Sequence, residues 1–111
     1  MTRLIDLKPL FIPLNGEHFD AFMNGSKDTE YRLHGKRWNL KTCFSGGQVI
    51  LSRGYGKQNR ARGVVHAAHV LPRSLLNTKL QWTLRHIYGL GIGENPEFMC
   101  IEICDIERLA A

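Results

Sequence analysis

Between Asn15 and Leu33 the chain switches from helical to extended periodicity across one glycine. Asn15 is a capping residue, Glu17 falls in the favourable first turn, and Phe19, Phe22 and Met23 recur at i, i+3 and i+4. That spacing predicts a helix over Gly16 to Asn24 with one buried face, stopped at Gly25. The next residues, Asp28 to Leu33, read as a strand. Alternation then puts Glu30 and Arg32 on one face and Thr29, Tyr31 and Leu33 on the other. Lys27, at the turn, reaches the Glu30 side. One acid and two cations are thereby fixed on a short rigid element.

Further strand-like runs occur at Gly47–Arg53, Ala61–Leu71 and Phe98–Ile106, and an apolar run at Leu7–Leu14 carries two prolines that suit an edge position. A second helix is predicted from Pro72 and Ser74 to Tyr88, with Gly89 beyond it and Leu76, Leu80, Leu84 and Ile87 as its apolar stripe. Trp82 is assigned to packing of that helix and Trp38 to the binding side. The order strand, helix, three strands, helix, strand, with strands this short, predicts an α+β fold built on a small β-barrel of about five strands with two short helices. At 111 residues, without repeats or linkers, residues 1–111 are read as one domain.

Charge narrows the function. From Tyr31 through Gly93 there is no Asp or Glu, while eleven Lys and Arg give that block a formal charge of +11. The whole chain carries +5, so the flanking segments together carry −6. Such segregation predicts a positive field over one side of the domain, the footprint of a polyanion binder. Within the block, Arg53, Tyr55, Lys57, Arg60 and Arg62 lie on or beside a glycine-flanked loop. A tyrosine among cations suits stacking on an unpaired base while the cations follow the backbone.

The pattern Gly25-x-Lys27-x-x-Glu30-x-Arg32 resembles the signature of the ASCH family, small β-barrel domains of the PUA-like class. The resemblance extends to a Gly-Gly-x-Val-Ile-Leu strand at Gly46–Leu51 and a closing helix–strand pair. It implies a PUA-like barrel with a pocket between the first helix and the barrel, rimmed by Lys27, Glu30 and Arg32. It also implies binding of RNA or of a modified nucleobase, and in some members hydrolase or ribonuclease activity. In that reading Lys27 and Glu30 are the candidate catalytic pair, and Arg32, with the loop residues above, holds nucleic acid. Glu30 would accept hydrogen bonds from an exocyclic amine or act as a general base, and its two cationic neighbours suit it more to recognition. One similar branch removes acyl groups from N4-acylated cytidine using a threonine three residues after the lysine. Glu30 occupies that position here, and Thr29 points to the opposite face.

The expectation is therefore an RNA-binding domain with a pocket for one nucleotide or modified nucleobase. Alternatives are a metal-independent ribonuclease, an N4-acylcytidine amidohydrolase, or a module that docks an acidic protein. Partners are single-stranded or modified RNA, with single-stranded DNA as a competitor. No cofactor is implied. His66 and His69, three apart on one strand, are expected on opposite faces, and Cys100 and Cys104 about 13 Å apart, so no metal site is expected. Glu102 sits among apolar residues, buried with a cation or exposed between faces. The N-terminal residues lack a signal-peptide pattern, no apolar run approaches a membrane span, and three cysteines without framework spacing suggest the cytoplasm.

Overall fold

The computed structural model describes residues 8–91 and 93–110. Strand β1 (Leu10–Leu14) leads into helix α1 (Gly16–Asn24), and β2 (Thr29–Leu33) follows. Strands β3 (Gln48–Arg53) and β4 (Arg60–Pro72) come next, then a 3-10 turn (Arg73–Leu75), α2 (Thr78–Tyr88) and β5 (Glu97–Arg108). All five strands form one sheet in the order β1-β3-β4-β5-β2. β1 lies parallel to β3 and the other pairs are antiparallel. The prolines of the first apolar run do mark an edge strand, as their missing N–H requires. Leu7 lies outside the described residues.

Both helices are set by their caps. Asn15 Oδ1 accepts from the His18 N–H at 2.9 Å, and Gly25 ends α1 at φ 83°, a left-handed conformation that costs glycine nothing. The second helix starts later than its apolar stripe suggests. Asn77 Oδ1 caps the Leu80 N–H at 2.8 Å, and extended backbone at Leu76 (φ −83°, ψ 159°) separates α2 from the 3-10 turn.

Curvature comes from two bulges in the long β4–β5 ribbon. Val65 and Ala67 face the consecutive Ile103 and Glu102, which leaves His66 as an extra residue on β4. Arg62 and Val64 face Glu107 and Cys104, which leaves an extra residue on β5 beside Asp105, itself at φ 53°. Bulges bend the strand that carries them and raise its twist. Here they curl the sheet into a half-barrel. Gly63 lies within the curl, where a Cβ would come 2.9 Å from the Ile103 side chain. The result is the α+β, barrel-like architecture expected from the element order.

The concave face holds the main core, including Ile12, Val49, Leu51, Val65, Met99 and Ile101, with Phe19 and Phe22 of α1 plugging one end. Burial of each phenylalanine contributes about 1.5–3 kcal/mol and fixes α1 against the sheet. On the other face, α2 covers Tyr31, Leu33, Leu71, Phe98 and Cys100 through Leu80 and Leu84. Trp82 departs from its expected packing role. It is 66% exposed, because Leu80, Leu84 and Tyr88 at four-residue spacing already supply the inward stripe. Ile87 is likewise 59% exposed. No helix among the described residues is long and apolar enough to cross a membrane.

Cys43 and Cys100 are buried in the two cores. Burial pushes both thiols up, partly offset at Cys43 by hydrogen bonding with the Thr42 hydroxyl and the Asn39 backbone. Cys104 is also raised, through desolvation and then the Asp105 carboxylate. Raised thiols hold less thiolate at neutral pH, so native alkylation by iodoacetamide should be slow and confined to Cys104. Its rate should climb only in alkaline solution above the usual thiol range, with Cys43 and Cys100 modified only after unfolding. Peptide mass spectrometry reads this directly, and early labelling of Cys43 would contradict the packing described.

Candidate functional site

Curling the sheet brings its two edge strands, β1 and β2, toward each other. The seam between them is bridged by Arg32, whose Nη2 donates to the Pro13 carbonyl at 2.7 Å. Beside that bridge lies a cavity of about 340 Å³. Pro13 and Leu14 of β1, Asn15 and His18 of α1, Lys27, and Glu30, Tyr31 and Arg32 of β2 line it. Leu80, Thr83, Leu84, Ile87 and Tyr88 of α2 form the opposing wall. One side is thus cationic and polar, the other apolar and aromatic.

Glu30 and Arg32 share the concave face of β2, as alternation predicts, opposite Ile101 and Met99. The Glu30 carboxylate is 9% exposed and fully engaged. Its Oε1 accepts from Lys27 Nζ at 3.1 Å and from the Tyr31 N–H at 3.1 Å. Its Oε2 accepts from Arg32 Nε at 3.3 Å and Nη2 at 3.0 Å. A carboxylate offers about four lone-pair sites, and all are occupied. The Tyr31 bond also caps an edge: His34 N–H to Glu97 and Ile103 N–H to Asp28 turn the even-numbered β2 backbone toward β5, so the Tyr31 N–H faces the seam.

Lys27 makes two further contacts that strand alternation does not foretell. Its Nζ lies 3.0 Å from His18 Nδ1 and 5.4 Å from the Phe22 ring centroid. An ammonium only donates, so Nδ1 accepts and Nε2 carries the imidazole proton. Tyr31 is the other addition. Burial raises its phenol above the usual value, with Cys100, Asp28, Glu102 and Glu30 adding to the effect, so it remains a neutral donor well past neutral pH. Chemically the site is rich in donors: the third Lys27 hydrogen, Arg32 Nη1, and the Tyr31 hydroxyl. It suits a guest with carbonyl or phosphate acceptors on one edge and a flat apolar face. Glu30 itself positions the two cations.

The structure separates the remaining candidates from this cavity. Arg53 pairs with Asp20 at 3.6 Å and lies over Gly16, at the start of the helix that lines the cavity. Tyr55 and Arg60 instead gather on Phe11, with ring centroids 6.3 Å apart and the Arg60 guanidinium 5.1 Å from the Phe11 centroid. Lys57 is exposed in the turn between β3 and β4. Arg62 forms a 2.9 Å ion pair with Glu107 on the β4–β5 ribbon. Trp38 does lie beside the site: Arg32 and Arg37 guanidinium carbons sit 4.8 and 5.3 Å from its ring centroid.

His66 and His69 are both exposed, because the bulge at His66 breaks the alternation that would have set them on opposite faces. Glu102 is half-buried opposite Thr29 and Ala67. The Thr29 hydroxyl donates to Asp28 Oδ1 at 2.8 Å, away from Glu30. Among the described residues no group of three His, Cys, Asp or Glu side chains is placed to hold a metal. In comparisons with known proteins, no family model, no curated protein and no solved structure matches the chain.

Proposed function

We propose that this protein is an RNA-binding domain whose cavity takes one nucleotide or modified nucleobase, in the manner the ASCH-like motif implies. The observation that carries this reading is the buried Glu30 carboxylate, saturated by four donors and holding Lys27 and Arg32 at the rim of the cavity. Its volume of about 340 Å³ lies at the small end of ligand sites, the size for one nucleotide unit. A base would place a carbonyl edge against the donors and a face against Leu84 and Tyr88. The acid-free block supplies the attraction for a phosphate chain.

Calorimetric titration with the four ribonucleoside 5′-monophosphates and N4-acetylcytidine tests the reading. Bases with a carbonyl acceptor should bind saturably, and adenosine monophosphate, which has none on its ring, about tenfold more weakly, since a hydrogen bond to a charged donor contributes about 1.5–3 kcal/mol. Equal binding of adenosine and uridine monophosphates would remove the donor-edge argument. Absence of saturable binding by all five would remove the function.

A second reading, a metal-independent ribonuclease, draws on His18. Its Nδ1 is taken by Lys27, so the imidazole on the cavity wall keeps Nε2–H as a donor, and with Lys27 and Arg32 it would neutralise a phosphate while another group activates the 2′-hydroxyl. Under that reading RNA cleavage in EDTA would vanish in His18→Ala and Lys27→Ala alike. Cleavage surviving both changes would exclude it.

A further inference from the structure

A groove of about 340 Å³ runs past the start of β1, apart from the cavity at the seam. Lys8, Arg37 and Lys41 contribute three cations to it, Phe11 and Phe44 two aromatic rings, and among the described residues its lining contains no acid. Two features join this groove to the cavity. Phe11 and Pro13 project from the same face of β1, about 7 Å apart along the strand, and Phe11 lines the groove while Pro13 lines the cavity. Trp38 is contacted by Arg32 of the cavity and by Arg37 of the groove. Tyr55, 77% exposed, and Arg60 converge on the same Phe11. Tyr55 and Arg60, which the cavity leaves aside, thus belong beside the groove.

We propose that this groove holds the nucleotides flanking the one in the cavity, so that a single strand of RNA crosses β1 with its phosphates on Lys8, Arg37 and Lys41 and a base against Phe11 or Phe44. Cations that track a backbone beside exposed aromatic faces are the general means of holding an unpaired strand, and they need no base-edge readout. The charge complementarity is one-sided enough to name the occupant: a polyanion with flat rings. Because it rests on the RNA reading above, the track must be tested so that it can fail alone.

The probes are fluorescein-labelled octauridylate and uridine monophosphate, with the full chain as wild type, as the triple variant Lys8→Gln/Arg37→Gln/Lys41→Gln, and as Glu30→Gln. The three exposed cations can be neutralised without emptying a core. The triple variant should bind the octamer about tenfold more weakly at 0.1 M salt, with the log–log salt slope reduced by about 2, since each lost phosphate contact removes about 0.7 for a single strand. Its affinity for uridine monophosphate should be unchanged. Octamer affinity and slope unchanged in the triple variant, with Glu30→Gln weakening both ligands, would overturn the track and leave the cavity reading standing. Wild-type protein that binds the monophosphate but not the octamer would do the same. Wild-type protein that binds neither would overturn both. Should the triple variant fail to fold, photo-crosslinking of wild type to 4-thiouridine-substituted octamer decides: adducts on Phe11, Phe44 or Tyr55 support the track, and adducts confined to the seam overturn it.

Discussion

Glu30→Gln should lower the unfolding free energy by about 2–4 kcal/mol and weaken nucleotide binding at least about tenfold, although the side chain barely changes shape. Glutamine keeps one oxygen for Lys27 and the Tyr31 N–H. It then presents an NH2 to Arg32 Nε and Nη2, so donors face donors where Oε2 now accepts at 3.3 and 3.0 Å. Removing the charge also leaves Lys27 and Arg32, side chains 19% and 21% exposed, repelling each other without a counter-ion. Breaking a buried pair typically costs about 3–5 kcal/mol, and the partial exposure of the two cations brings the expectation somewhat below that. For a domain near 100 residues this is a fall in Tm of roughly 10 °C or more. Urea unfolding should show a lower midpoint with unchanged slope. A loss under about 0.5 kcal/mol would mean that solvent, and not Glu30, stabilises the cations.

Much of this arrangement is legible in the sequence because it is local. Gly25 marks the end of α1 through its own backbone preference. Five residues of alternation suffice to place Glu30 and Arg32 together, and Lys27 is three residues from its partner. The position of the loop cations is different in kind. Where Arg60, Arg62 and Tyr55 lie relative to the cavity depends on the curl of β4 and β5, and that curl comes from extra residues at His66 and beside Asp105. Neither has a composition signal, and one inserted residue reverses every face beyond it. His18 was hidden for a related reason. On its helix it is an ordinary half-polar position, and only the turn at Gly25 brings Lys27 back to within 3.0 Å of it. Trp82 shows the limit of residue type as a guide to burial: its size argues for packing, while its place on α2, off the Leu80–Leu84–Tyr88 stripe, decides against it.

Arg32→Lys is the sharper test of the seam, because it leaves the net charge of +5 untouched. Arginine here performs three tasks with one planar group. It forks onto Glu30 Oε2, donates to the Pro13 carbonyl across the gap between β1 and β2, and lies over Trp38. One nitrogen, Nη2, makes both the Glu30 and the Pro13 bonds, and a lysine chain ends one bond short of it, so lysine loses the Nε donor, draws back from the Pro13 carbonyl and lacks a flat face for the indole. Loss of a charge-assisted bond and of the stacking should cost about 2–3 kcal/mol together. The edges of the half-barrel are held by this side chain, so the effect should be local. Hydrogen exchange should accelerate at β1 and β2 amides well before the β4–β5 ribbon responds. Monophosphate binding should fall about tenfold, while the salt dependence of octamer binding keeps its slope, since no cation has been lost. Uniform acceleration of exchange across all five strands would show that Arg32 contributes to stability at large without holding the seam, and the cavity would then need another account of its shape.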